Sequence, residues 1–238
     1  MEEERLERMI REREGSFSIA FPKLMRKVYV WMTLAMVITG VTAYGVASNP
    51  GLISMLVQSR MPILILGIVE LGLVFALCAR IHKMSLTTAT LMFVIYSIIN
   101  GITLSFIFLA FTMTSITSVF FVTAGTFAVM SLVGYFIKSD LSGMGRFLYM
   151  ALFGLIIATF ANLLLHIAGL AAIINYAGVL IFAGLTAYDT QKIKQMFIMC
   201  DDMTEDMQKL AVIGALTLYL DFINMFLYLL RIFGDSRE

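Results

Sequence analysis

Charge is what this chain has least of. Lysine, arginine, aspartate and glutamate supply only 14% of its 238 residues, against 60% apolar residues, a balance that a water-soluble globular domain does not show. The formal net charge of +1 leaves no basic face to neutralise a phosphate backbone, so a nucleic-acid partner is excluded. Cysteine is nearly absent too: Cys78 and Cys200 are the only two, and neither has a partner at metal-ligand spacing. A disulfide framework and a cysteine metal cluster are therefore not expected, and both read as ordinary thiols. Of three prolines none follows Pro62, so the Pro-interrupted helix pairs of many carriers are missing. The first fifteen residues alternate Glu and Arg without an apolar core, as a solvated helix or disordered tail would, and no cleavable signal peptide is visible.

What remains is apolar sequence in long runs. Stretches long enough to cross a bilayer, roughly 17 to 25 residues each, fall at 28–47, 63–79, 89–111, 119–137, 147–167, 170–187 and 210–230, giving seven spans. The connections carry turn residues, as in Asn49-Pro50-Gly51 and Ser139-Asp-Leu-Ser-Gly143. No polar linker exceeds the segment 195–208 and no internal repeat is evident. The reading is an all-α polytopic membrane protein: a charged cytoplasmic tail over 1–22, one seven-helix transmembrane domain over 23–234 and a short tail over 235–238. Lys23, Arg26 and Lys27 precede span one, Arg80 and Lys83 follow span two, Lys138 and Arg146 follow span four, and Lys192, Lys194 and Lys209 follow span six. By the positive-inside rule those segments and the amino terminus face the cytoplasm and the carboxyl terminus lies outside.

Within the spans, acids are the residues that need a reason. An Asp at the centre of a membrane helix costs roughly 2.5 to 3.5 kcal/mol to insert, which makes it a functional candidate by default. Asp221 lies in the last span, where Gly214, Thr217, Asp221, Asn224 and Tyr228 share one stripe of an α-helix that must face protein or water. Glu70 sits in mid-span two. Asp189, in Tyr188-Asp-Thr-Gln-Lys192, is placed where span six meets the cytoplasm, a position at which acids are often solvated. If Asp189 and Asp221 approach each other, they cannot both ionise cheaply in a low dielectric, so they share a proton and titrate as a coupled pair. Straight spans put them at different depths, since Asp221 is about 16 Å past Leu210 at 1.5 Å per residue. They meet if span six continues as helix past Lys194, or if a central span seven starts in a crevice shielded by the others.

Other polar groups carry a weaker signal. Thr159, Asn162 and His166 on span five, and Tyr96, Asn100 and Thr103 on span three, could line a pathway or simply bridge helices. Gly154 and Ala158 offer span five a small-residue packing face. Arg80, ten residues from Glu70, lies about 80° from it around the helix and is as well suited to anchoring the interface as to binding an acid. His82 reads as solvated.

Leu185-Thr-Ala-Tyr-Asp-Thr-Gln-Lys-Ile-Lys194, Gly214-Ala-Leu-Thr-Leu-Tyr-Leu-Asp-Phe-Ile-Asn224 and Leu230-Arg-Ile-Phe-Gly234 resemble motifs of the Bax inhibitor-1 family in its bacterial branch. Asn100-Gly-Ile-Thr-Leu104 and Lys138-Ser-Asp-Leu-Ser-Gly143 extend the resemblance, which covers about residues 21 to 234. It implies a bacterial inner-membrane protein whose last helix is surrounded by the other six, acting as a pH-sensitive calcium leak. Asp189 and Asp221 would be its di-aspartyl sensor and gate, closed while they share a proton. Glu70 would be an acid of the pore and Arg80 a basic partner of Asp189. The three acids would be transient contacts for Ca²⁺, which permeates and is no resident cofactor, and the partners would be the bilayer, calcium and protons.

Three other readings stay open. Intramembrane aspartyl proteases use two acids on adjacent helices, one following Tyr as in Tyr188-Asp189, but they carry Gly-x-Gly-Asp at the second acid, where this chain has Leu218-Tyr-Leu-Asp221. A membrane interaction or stress-regulatory protein without ion flux would use the acids only to hold the bundle together. A proton-coupled carrier of small solutes is the third. The expectation is a leak channel and not an enzyme.

Overall fold

The computed structural model of the chain describes residues 2–58, 61–167, 169–198 and 204–235. Its helices are α1 (Glu2–Ala47), α2 (Pro50–Val57), α3 (Met61–Arg80), α4 (Leu86–Leu104), α5 (Ile107–Ala110), α6 (Met113–Phe136), α7 (Ser142–Leu165), α8 (Leu170–Ile198) and α9 (Glu205–Phe233), with a 3₁₀ turn at Ile81–Lys83. Seven of them, α1, α3, α4, α6, α7, α8 and α9, are long and apolar enough to cross a membrane, so the protein is a polytopic all-α membrane protein.

Local chemistry explains where these helices depart from the predicted spans. Helix α1 begins at Glu2 and runs through Pro22 without ending. The expected turn at Asn49-Pro50-Gly51 instead opens α2: the Asn49 side chain accepts the Gly51 and Leu52 amides and Pro50 occupies the first turn. Span three is one helix only as far as Leu104. There the Ser105 hydroxyl donates to the Ile102 carbonyl at 2.6 Å, competing with the helical ladder, and α5 resumes after it. Helix α7 stops where His166 turns left-handed, at φ 48°. The departure that matters for the acids is α8, which continues eleven residues beyond the predicted end at Ala187. Cys200 and Arg60 lie outside the described residues.

Helix α9 is the axis of the bundle. In its most apolar stretch 67% of residues are buried, against 44% in α8 and 6% in α3. Four helices wrap it, α1, α4, α6 and α8, while α3 packs on α4 and α7 on α8. Aromatic side chains fix its rotation. Tyr219 lies edge-on to Phe93 and Tyr96, each 5.9 Å away, and Phe222 to Phe120 and Phe127 at 5.5 and 5.6 Å. Such pairs contribute about 0.5–1.5 kcal/mol each.

Both ends of α9 are tied. At its start, Glu205 Oε1 accepts the Leu86 amide at 2.9 Å and Lys27 Nζ donates to Gln208 at 2.9 Å. At its finish, the Asp235 carbonyl accepts the Thr112 amide, and the Asp235 amide donates to Ser115 Oγ at 3.0 Å. The last helix therefore runs the full height of the bundle.

Candidate functional site

The segment Tyr188-Asp-Thr-Gln191 sits inside the extended α8, and its residues reach different neighbours. Thr190 Oγ1 donates to Ser131 on α6 at 3.3 Å, and Gln191 joins the 137–141 connection by accepting the Leu141 amide and donating to the Ser139 carbonyl, both at 2.8 Å. The Tyr188 ring covers Gly145 of α7, where a Cβ would overlap it. Lys194 donates to the Tyr135 carbonyl at 2.7 Å. Held on these sides, α8 has Asp189 left to face α9.

Asp189 is not solvated. It is 2% exposed, Asp221 is 4% exposed, and the two carboxyl groups face one crevice across the α8–α9 contact, close enough to interact directly. Depth is reconciled by the helical extension, which carries Asp189 nine residues back from the end of α8. Two carboxyl groups so placed can hydrogen-bond only with a proton between them, because ionised carboxylates are acceptors alone. Tyr149 of α7 supports the pair by donating its hydroxyl to Asp189 Oδ1 at 3.2 Å. Lys192 adds the attraction of a cation to Asp189. Asp221 Oδ2 is buried and takes no hydrogen bond from an N–H or hydroxyl. The pair opens on a crevice of about 410 Å³ whose walls include Tyr149, Asp189, Thr217, Asp221 and Asn224.

Glu70 forms a second centre, on the α3 side of α9. Its Oε1 accepts from Thr103 at 2.7 Å and its Oε2 from the Asn100 amide at 3.4 Å. Asn100 Oδ1 in turn accepts from the Tyr219 hydroxyl at 2.9 Å, and Tyr219 lies 2.7 Å from Thr39 Oγ1 on α1. Each hydroxyl has one proton. With Asn100 turned to give its amide to a carboxylate, Tyr219 donates to Asn100, while the single Thr39 proton is divided between Tyr219 and the Ser97 carbonyl, which Thr39 Oγ1 reaches at 2.9 Å. Four helices are thus joined in one directed chain that ends on Glu70. A crevice of about 490 Å³ borders Glu70 and Tyr96.

Several expected participants lie elsewhere. Arg80 is exposed at the end of α3, and the groups acting on Asp189 are Tyr149, Lys192 and Asp221. Its helix packs on α4, away from α8, so the expected pairing of Arg80 with Asp189 is not formed. On α7 the Thr159 hydroxyl bonds its own helix at Leu155, His166 is exposed, and Asn162 Oδ1 is buried without a partner. Those three line no crevice with the acids, whereas Tyr96, Asn100 and Thr103 all gather at Glu70. Gly154 faces open space, and close glycine contacts fall instead at Gly101, Gly134, Gly145, Gly178 and Gly234. Tyr149, Tyr219 and Thr39 are the participants that sequence reasoning misses. Of these only Tyr219 carries a signal, its place two residues before Asp221.

Among the described residues no group of three or more His, Cys, Asp or Glu is placed to hold a metal ion. Residues 22–238 match the sequence profile of the family described as "Inhibitor of apoptosis-promoting Bax1". The chain belongs to the Bax inhibitor-1 family. Bacterial proteins align with it over nearly their whole length. It is 46% identical to the inner membrane protein YbhL of Escherichia coli K12 over 214 residues, 90% of this chain and 92% of that one. An uncharacterized protein of Borreliella burgdorferi is 42% identical over 91% of this chain and 93% of its own length. An uncharacterized membrane protein of Streptococcus pyogenes serotype M1 is 37% identical over 91% and 92%.

Proposed function

We propose that this Bax inhibitor-1 protein is a pH-sensitive calcium leak of a bacterial inner membrane, gated by the Asp189–Asp221 pair. The observation that carries the reading is the placing of two buried carboxyl groups, on different helices, against one crevice, one of them on the central helix. A single proton holds such a pair together, and losing it sets two like charges against each other in a low dielectric. Helix α9, which is central, then shifts against α8, and a cation path lined by Glu70 opens beside it. Calcium is the permeating ion, met in transit by Glu70, Asp189 and Asp221 and kept by none of them. The basic segments support a cytoplasmic amino terminus, and the name of the Escherichia coli relative supports the inner membrane as location.

The test is calcium flux into liposomes holding the purified chain, scanned across pH for the parent, Asp189→Asn and Asp221→Asn. A leak in the parent whose pH dependence is lost in both variants is expected. Unchanged pH dependence in both would sink the gate. Absence of flux from the parent at any pH would favour an interaction protein whose acids hold helices together.

A further inference from the structure

Helix α9 shows a stripe of half-buried residues, Ile213, Thr217, Leu220, Asn224 and Leu227, along an otherwise buried surface. Their three- and four-residue spacing puts them on one side of the helix. That side is the one its four wrapping helices leave uncovered, since α3 leans on α4 and α7 on α8. A seam therefore runs along α9 between α3 and α7. The Glu70 crevice lies on one flank of it and the Asp189–Asp221 crevice on the other, and a single side chain, Leu220, lines both.

We infer that Leu220 is the apolar barrier between the two acid-bearing crevices, and that the ion route is this lateral seam along α9 rather than the bundle axis, which α9 itself fills. A hydrated calcium ion is attracted by carboxylates on either side but cannot shed its water against an isobutyl group, so a short apolar constriction stops it. Leu220 precedes Asp221 in the chain. A turn of α9 about its axis that separates Asp221 from Asp189 also carries Leu220 out of the seam. The barrier and the carboxyl pair are thus one rigid piece of helix. This inference rests on the leak reading above and adds to it the residue that closes the path.

The experiment is calcium flux into liposomes for the parent, Leu220→Ala, Leu220→Phe and the volume-conserving Leu220→Met, each first shown to extract and melt like the parent. At the pH where the parent is closed, Leu220→Ala is expected to raise flux about tenfold or more, as widening and wetting a hydrophobic constriction should. Leu220→Phe should lower the flux of the open parent, and Leu220→Met should behave as the parent. A pH-dependent leak in the parent that neither Leu220→Ala nor Leu220→Phe alters would overturn the barrier and leave the leak reading standing. A silent parent with a leaking Leu220→Ala would uphold the barrier and overturn the native leak. Silence in all four would overturn both.

Discussion

Gly134 on α6 lies against the main-chain carbonyl of Ala187 on α8 so closely that a Cβ at residue 134 would overlap it. Two residues further along α8 is Asp189, and the next, Thr190, bonds Ser131 one turn back on α6. The α6–α8 contact therefore sets the depth and rotation at which Asp189 is offered to α9. With α8 pinned from behind, the proposed separation of the carboxyl pair falls to α9.

Gly134→Ala is expected to destabilise the protein by about 3 kcal/mol, the upper end of the overpacking range, because backbone faces backbone and no flexible side chain can yield. The control lies on the same helix. At Gly125 a Cβ would meet nothing within 4 Å, so Gly125→Ala should gain about 0.5–1 kcal/mol of helix propensity. Thermal unfolding in detergent checks both, and equal midpoints for the two variants would remove α6 as the anchor.

The directed chain Thr39–Tyr219–Asn100–Glu70 makes a different prediction. Tyr219→Phe keeps the ring between Phe93 and Tyr96 but strips the proton that Asn100 Oδ1 accepts, leaving a buried acceptor empty at a cost of about 1–3 kcal/mol. Thr39→Val removes the hydroxyl that pairs with both Tyr219 and the Ser97 carbonyl. Because both act on one network, the double variant should be less destabilised than the sum of the two by about 0.5 kcal/mol or more. Denaturant unfolding of the four-member cycle measures the coupling, and strict additivity would show the chain to be broken between Thr39 and Tyr219.

How much of this is legible in the sequence follows from which forces are local. The spans are legible because about 20 apolar residues in a row have few other solutions, and Asp221 stands out because a carboxyl inside such a run is costly. The burial of Asp189 is not legible as such. Whether its helix stops near Ala187 or runs on to Ile198 depends on Thr190, Gln191 and Lys194 finding Ser131, Ser139 and Tyr135 some 50 to 60 residues away in the chain, and amphipathic pattern does not encode partners. The same holds for Tyr149, which has no motif of its own and gains its role from the face α7 turns to α8. Gly154 misleads for the converse reason: a small residue permits close packing, but only the neighbouring helix decides whether packing occurs. Family resemblance draws Arg80 toward Asp189, and the lean of α3 onto α4 takes it elsewhere.

Outside the membrane, Asp140 gives a pH prediction whose sign can be worked out. Its Oδ1 accepts the Ser142 hydroxyl at 2.6 Å and the Ser142 amide at 3.0 Å at the start of α7. These bonds, the hydroxyl first, hold its carboxyl below the usual aspartate range. A folded value below the unfolded one means the stabilisation is fully present above the unfolded value of about 3.9 and is lost as pH falls through the folded value. Asp140→Ala should therefore lower the unfolding midpoint at neutral pH, and the gap to the parent should close below about pH 4. Melting curves from neutral pH down to that range check it. A gap that persists undiminished in acid would assign the effect to the lost side chain rather than its charge.

Asp221 separates a carboxyl kept for function from one kept for the fold. If the pair were glue, replacing either acid by its amide would weaken the bundle. The geometry argues otherwise. Asp221 is buried on the most enclosed helix with Oδ2 lacking a donor, so in the fold alone it is a cost, and such costs concentrate where a protein trades stability for activity. Asn at this position has the same shape, carries no charge, and brings its own N–H to donate to Asp189. Asp221→Asn is therefore expected to unfold at about the temperature of the parent, because its N–H takes the place of the shared proton rather than adding a bond. Its flux should at the same time become indifferent to pH. A midpoint several degrees lower, with the pH response of the parent retained, would make the pair a structural contact and move the gate elsewhere along α9.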